Sequence, residues 1–303
     1  MTSIAPTDPV VFDETAVYAP DLGYWQDVRK CFFRNRLAML ALCVLALLVL
    51  IAIVGPFIFR GDYKAAVNGE QLLRPFSKGH PLGTDDLGRD LLRRVVRAMG
   101  ISLRLAAAVT VLSTLLGMVL GGLAGYFGGW IDMVVTRVVD AIFAIPYVLI
   151  GIAFITIFGA YFWVVMVTLV FTAWVGTARL FRAAVLQVRS QDYIEAARST
   201  GAGTPRILLN HVLPNALPPI IVSIAFSIAG AILSESIYSF LGIGFIEPTP
   251  AIGVMIRAAR GQFQEYPHIL FVPASVLVLL TISIVLVGDG LRDALDPKLC
   301  GVS

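Results

Sequence analysis

The chain has 303 residues, 58 % of them hydrophobic and 14 % charged, with a formal charge of +3 and a mean hydropathy of +0.84. Soluble domains run near 45–50 % apolar and about 25 % charged, so this composition excludes an ordinary soluble protein and indicates an all-α polytopic membrane protein. The near-neutral balance of scattered basic residues leaves no nucleic-acid footprint.

The length accommodates six transmembrane helices of about 20 residues with their loops, and no separate soluble domain. Cys31, Cys43 and Cys300 have no CxxC spacing, so neither a disulfide framework nor a zinc site is expected. No GxxxxGK[ST] signature occurs, so any ATP must be held by another chain.

In chain order, residues 1–36 read as a cytoplasmic N-terminal tail. It begins with an irregular polar stretch containing Pro6, Pro9 and Pro20, without the apolar core of a signal peptide. Residues 24–36 then form an amphipathic surface helix, with Trp25, Phe32 and Phe33 toward lipid and Arg29, Lys30, Arg34 and Arg36 toward headgroups. Those four cations place the N-terminus inside. Residues 37–59 are the first span, uncharged throughout.

Residues 60–100 are an external loop whose second half should be an amphipathic helix. Thr84 or Asp85 is expected to cap it, Asp86 to pair with Arg89, and Asp90 with Arg93 and Arg94. Leu87, Leu91, Val95 and Met99 supply its apolar face. His80 with Asp85, Asp86 and Asp90 is read as capping and pairing, not as a metal site. The loop holds eight Lys or Arg against four before the first span, which conflicts with an external placement by charge counting alone.

The second span, 101–126, carries Gly117, Gly121, Gly122 and Gly125, which suit close helix packing. The third, 133–158, should pair Arg137 with Asp140 at its entry and kink at Pro146, for a pore wall or for packing. The fourth, 163–181, ends on Arg179 and Arg182 at a cytoplasmic interface.

A polar, helix-forming island follows, DYIEAARSTGAGTPRILLNHVLPN at 192–215, which can stand only outside the bilayer. Gly201 and Gly203 supply the turn, Pro205 starts a second short helix over 206–212, and Pro214 closes it. The result is a helical hairpin with a small-residue face at Ala196 and Ala197, suited to docking. Glu195-Ala196-Ala197, three intervening residues, Gly201, ten more, and Val212-Leu213-Pro214 together resemble the EAA loop of ABC importer permeases. His211 departs, standing where the family often has Ile. The resemblance implies that Glu195, Ala196, Ala197, Gly201, Leu213 and Pro214 dock in a groove of an ATPase subunit, within a coupling loop of 190–215.

The fifth span, 216–241, contains Glu235 between Ser234 and Ser236. A carboxylate at that depth must face the bundle interior or water. These three are candidate translocation-path residues, although a structural hydrogen bond to neighbouring helices is the favoured reading of Glu235. An external loop, 242–267, leads to the sixth span, 268–287, and to a tail in which Asp289, Arg292, Asp293 and Asp296 should pair at a helix end. The stretches GTDDLGRD, SFLGIGFIEPTPAIGVMI and GDGLRDALDPK are similar to the oligopeptide/dipeptide/nickel-type subfamily, with Ile252 where that family usually has Trp.

The resemblance implies a MetI-like ABC importer permease core over 101–290, a cytoplasmic tail over 291–303, and an inner-membrane location with both termini cytoplasmic. It also implies a second homologous permease subunit, two ABC ATPase subunits carrying ATP and Mg, and an extracytoplasmic substrate-binding protein. This chain itself would hold no cofactor and no metal and catalyse nothing. Its cargo stays open among dipeptides, oligopeptides, nickel complexes and glutathione-like solutes. The alternative, a stand-alone secondary transporter or channel, calls for internal repeats or several paired intramembrane charges. No clear repeat is present, and it leaves the coupling loop without a task. An intramembrane enzyme finds no HExxH or GxSxG motif here.

Overall fold

The computed structural model describes residues 22–59, 61–77 and 79–295, with side chains from residue 26 onward. The proline-bearing tail, the Trp25 side chain, Arg60, Asp296 and Cys300 lie outside the described residues. The helices, in order, are α1 Leu22–Arg34, α2 Arg36–Ile58, α3 Leu91–Phe127, α4 Gly129–Phe143, α5 Tyr147–Phe158 and α6 Phe162–Arg189. They continue as α7 Asp192–Ser199, α8 Thr204–Ile207, α9 Leu213–Ala216, α10 Pro218–Leu241, α11 Ile252–Ala258 and α12 His268–Leu295. Among the described residues α2, α3, α6, α10 and α12 are long and apolar enough to cross a membrane, and α4 with α5 forms a pair bent by 83°.

The seam between α3 and α6 decides the topology. A Cβ on Gly117 would lie 2.8 Å from the Trp174 carbonyl oxygen, and one on Gly125 would lie 2.9 Å from that of Arg182. Between them Gly121 sits directly on the Ala178 backbone. Contacts therefore advance in the same direction along both helices, so α3 and α6 run parallel. A parallel pair requires the intervening chain to cross the layer. It does so in two pieces: α4 meets α6 through Asp132–Arg182 and Asp140–Arg179, and α5 meets it through Phe154 and Phe171. The bent pair is thus one broken span rather than a re-entrant loop. Pro146, at the start of α5, cannot donate to α4, and the expected kink is a right-angle break.

Counting this crossing, six transmembrane segments alternate. Gly288 and Gly290 of α12 pack on Ala225 of α10 and Ala38 of α2 at one end, and Gly55 of α2 packs on Val96 of α3 toward the other. The start of α2, the end of α12 and the 192–216 hairpin share one end, and residues 61–90 with 242–267 share the opposite one. The central core gathers Leu105, Val109, Val165, Leu169, Ile232 and Tyr238 from α3, α6 and α10.

Several local expectations change. Asn35 caps α2 by accepting from the Leu37 and Ala38 amides at 3.1 Å. Phe33 is exposed, but Phe32 packs with Val28, Ala294 and Leu295 on the end of α12 instead of facing lipid. Cys31 on α1 is disulfide-bonded, a link that the cysteine spacing does not announce. The amphipathic helix expected before the second span is the first turns of α3 itself. Its cap is Asp90, which accepts from the Arg93 amide at 2.8 Å, not Thr84 or Asp85. Those two are spent on the preceding loop: Thr84 accepts from the Leu73 amide and Asp85 from the Arg89 amide, both at 2.9 Å. Leu91, Val95 and Met99 are buried, whereas Leu87 lies off the helix and is exposed.

The pairing of the charges changes as well. His80 engages Asp90 at 2.6 Å and Glu70 at 3.3 Å. Arg89 reaches Asp85 at 2.7 Å rather than Asp86, and Glu247 at 2.7 Å. Arg94, only 1 % exposed, reaches Glu247 at 2.8 Å and Asp85 at 3.4 Å. This four-residue cluster ties the loop before α3 to the loop before α11. It also neutralises two of the loop's cations. Asp140 pairs with Arg179 at 2.7 Å rather than with Arg137, because α6 lies across from α4 and offers a straight reach. The α6 helix runs on past Arg179 and Arg182 to Arg189.

Two outcomes check this architecture. Gly121→Leu should destabilise the protein by about 2 kcal/mol or more, read as a lower thermal midpoint in detergent; an unchanged midpoint would mean that the seam is not closed. Glu247→Gln leaves Arg89 and Arg94 short of a counter-charge. After discounting for the partial exposure of Glu247, it should cost about 2 kcal/mol, measured in the same assay.

Candidate functional site

The hairpin of residues 192–216 is built from α7, a turn, α8, a π-helical turn over Leu208–Val212, and α9. Asp192 and Glu195 occupy the first turn of α7, where the helix dipole favours acids. At its other end the Ser199 and Thr200 hydroxyls donate to the Glu195 and Ala197 carbonyls. Gly201 then turns the chain at φ +83°, a left-handed conformation suited to glycine. Its amide donates to the Arg198 carbonyl at 3.0 Å, and the Ala202 amide donates to that of Ala197 at 3.1 Å. These two bonds make a Schellman motif, and Ala197 and Ala202 both pack against the buried cluster beneath. The AA-xxx-G spacing is therefore a helix-ending device as well as a surface.

Pro205 starts α8 as expected. Pro214 does not close the second helix, however: it lies in the first turn of α9. A proline there would strike the carbonyl four residues back in a regular helix. The π turn widens the path, with the Leu213 amide donating to the Leu208 carbonyl, five residues back. Only Leu217 separates α9 from α10, so the hairpin runs into the fifth span without a flexible linker.

One side of the hairpin is apolar and clamped. Ile194, Ile207, Val212 and Ala216 are buried against Tyr126 of α3 and Phe181, Val185 and Val188 of α6. The other side is open: Glu195, Ala196, Arg198, Gly201 and Pro214 are exposed, while Ala197 and Leu213 are half-buried. Of the two alanines, Ala196 is exposed beside Glu195, whereas Ala197 is turned partly into the clamp. Burial pushes the Tyr193 phenol above its ordinary value.

The three neighbouring residues of α10 part company. Glu235 is fully buried and accepts from Ser102 of α3 at 2.9 Å and Ser239 at 2.7 Å. Ser236 is buried, its carbonyl beneath Gly253 of α11. Ser234 alone fronts a cavity of about 430 Å³ between α4, α5, α6 and α10, which Pro146, Thr172 and Ser227 also line. Sequence reasoning missed that cavity and the pairs Asp132–Arg182 and Asp140–Arg179. The only signal for the pairs was an acid on one span and a base on the next, with no spacing to connect them.

Residues 117–300 match the family model described as binding-protein-dependent transport system inner membrane component. Residues 23–75 match that of the N-terminal TM domain of oligopeptide transport permease C. The oligopeptide transport system permease protein OppC of Bacillus subtilis is 35 % identical over 95 % of this chain and 94 % of its own length. The OppC of Salmonella typhimurium is 38 % identical, covering 90 % of this chain and 91 % of its own. The glutathione transport system permease protein GsiD of Shigella flexneri is also 38 % identical, over 91 % of each. A solved inward-facing structure of the MetNI methionine ABC transporter superposes on 67 % of this chain and 96 % of its own, with a TM-score of 0.57 at 18 % identity.

Substitution at Gly201 tests the hairpin turn. Gly201→Asn should be nearly neutral for stability, whereas Gly201→Val should cost about 1–2 kcal/mol, because asparagine tolerates the left-handed region and a β-branched residue does not. Equal thermal midpoints for the two variants would remove the turn assignment.

Proposed function

The chain belongs to the family of binding-protein-dependent transport system inner membrane components, and on that premise we propose how it couples ATP use to the import of a peptide. It is a multi-pass permease subunit of an ABC importer and not an enzyme. The exposed edge of the hairpin, with Glu195 and Ala196 at its centre and Gly201 and Pro214 along it, and the half-buried Ala197 and Leu213 beside them, docks in a groove of an ATPase subunit. Two such ATPases carry ATP and Mg, a second homologous permease completes the path, and an extracytoplasmic binding protein delivers cargo to the face formed by residues 61–90 and 242–267. The hairpin, the start of α2 and the end of α12 then all lie in the cytoplasm. Residues 1–36 and 291–303 are cytoplasmic, 60–100 external, and 101–290 the core. The cargo class is di- or oligopeptides, supported by the names of relatives that align over nearly their whole length.

One observation carries the coupling: the hairpin is clamped underneath and exposed above. Ile194, Ile207 and Val212 bind it to the ends of α3 and α6, and α9 passes almost directly into α10. A pull on the exposed edge cannot be absorbed by a slack loop, so it tilts those spans together. Closure of the ATPases then rotates the bundle between inward- and outward-open arrangements. Glu235, tied to Ser102 across α10 and α3, keeps the two helices moving as one, and Ser234 fronts the path.

In proteoliposomes holding the complete importer, Glu195→Lys should abolish ATP-dependent uptake while the amount of inserted chain is unchanged, because it reverses a docking charge. Gly201→Pro should do the same by breaking the turn. Normal uptake with either variant would remove the coupling assignment.

A further inference from the structure

The Asp140–Arg179 pair is not explained by packing. Its atoms are 2.7 Å apart, yet the two side chains are 50 % and 44 % exposed. Asp140 lies eleven residues into α4 and Arg179 ten residues before the end of α6, so both stand roughly 15 Å in from the hairpin end. Charges placed there are costly toward lipid tails and are found facing water or protein. The Arg179 guanidinium rests on the Phe143 ring, 4.4 Å from its centroid. Phe143 is also a wall of the 430 Å³ cavity, which holds the hydroxyl-bearing side chains Thr172, Ser227 and Ser234. The acid–base pair therefore stands beside an apolar cavity with a few hydroxyls, and Phe143 is the wall that joins the two. That volume suits a small ligand.

Resting on the peptide-import reading, we propose that Asp140, Arg179 and this cavity form a binding station for a zwitterionic peptide on its way through the permease. The cargo's ammonium group takes Asp140, its carboxylate takes Arg179, and a side chain enters the cavity past Phe143. The exchange suits a membrane interior because it replaces one ion pair by two and leaves the net charge unchanged. Between cargoes Asp140 and Arg179 neutralise each other, so neither charge stands bare.

The test is photo-crosslinking in proteoliposomes containing the complete importer, with a dipeptide carrying photoleucine and both termini free. Irradiation during ATP-driven uptake should label peptides spanning residues 140–147 or 172–179 of this chain, located by mass spectrometry. A charge-assisted contact to each terminus predicts that Asp140→Asn or Arg179→Gln lowers that label about tenfold or more, while Arg179→Lys retains most of it. Thermal midpoints of the variants are measured alongside. Label that maps elsewhere, or is equally strong in the neutral variants, overturns the proposal. So does label lost together with the thermal midpoint, since the pair would then only hold α4 against α6. A wild-type complex that consumes ATP yet imports no dipeptide overturns the peptide reading itself, an outcome distinct from the others.

Discussion

Close backbone contact between α3 and α6 is the constraint from which the remaining architecture follows. Gly117, Gly121 and Gly125 lie a turn apart on one face of α3, and each leaves room only for the backbone or Cβ atoms of α6. In lipid the hydrophobic effect does not hold helices together, so such an approach gains its stability from dispersion contacts over the full seam. Because the seam is parallel, the connection between the two helices must cross the layer, and the chain accomplishes this with the broken pair α4 and α5. The clamp beneath the hairpin then forms where α3 and α6 emerge together, with Tyr126 and Val185 as its floor.

The two ends of the bundle are built by opposite means. At the end formed by residues 61–90 and 242–267, polar groups hold loops in place: the buried Arg89 and Arg94 pair with the half-buried Asp85 and Glu247, and His80 bridges Glu70 and Asp90. Removing any member would leave a charge without its partner in a poorly solvated place, so the cap is stiff. At the hairpin end, apolar burial fixes one side and leaves the polar edge open. In the proposed reading, the stiff end receives cargo and the open edge receives the force.

Between the ends, three acids in the spans find partners across a helix boundary, Glu235 through Ser102, whereas Arg104 donates to the Gly100 carbonyl of its own helix. Asp132 meets Arg182, Asp140 meets Arg179, and Glu235 meets two serines. Only the Asp140 pair is half open.

Much of this was readable from the residues. Uncharged runs of about 20 residues announce spans because an unsatisfied peptide group in hydrocarbon costs several kcal/mol. The polar island at 192–215 announces an excursion from the membrane for the same reason. Gly201 marked a helix end, and the glycines of the second span marked a packing face, since both depend on local geometry that a short stretch of sequence specifies.

What tertiary structure alone decided was the identity of partners. Asp90, not Thr84, caps α3, because Thr84 is held by Leu73 and Glu70 across the loop. Arg94 finds Glu247 more than 150 residues away. Asp140 chooses Arg179 over the nearer Arg137, and Pro214 passes inside a helix once a π turn makes room for it. Helical spacing lists the neighbours a residue has on its own helix, but an ion pair or a cap goes to whichever group the packed bundle brings within reach. That choice depends on contacts between segments far apart in the chain.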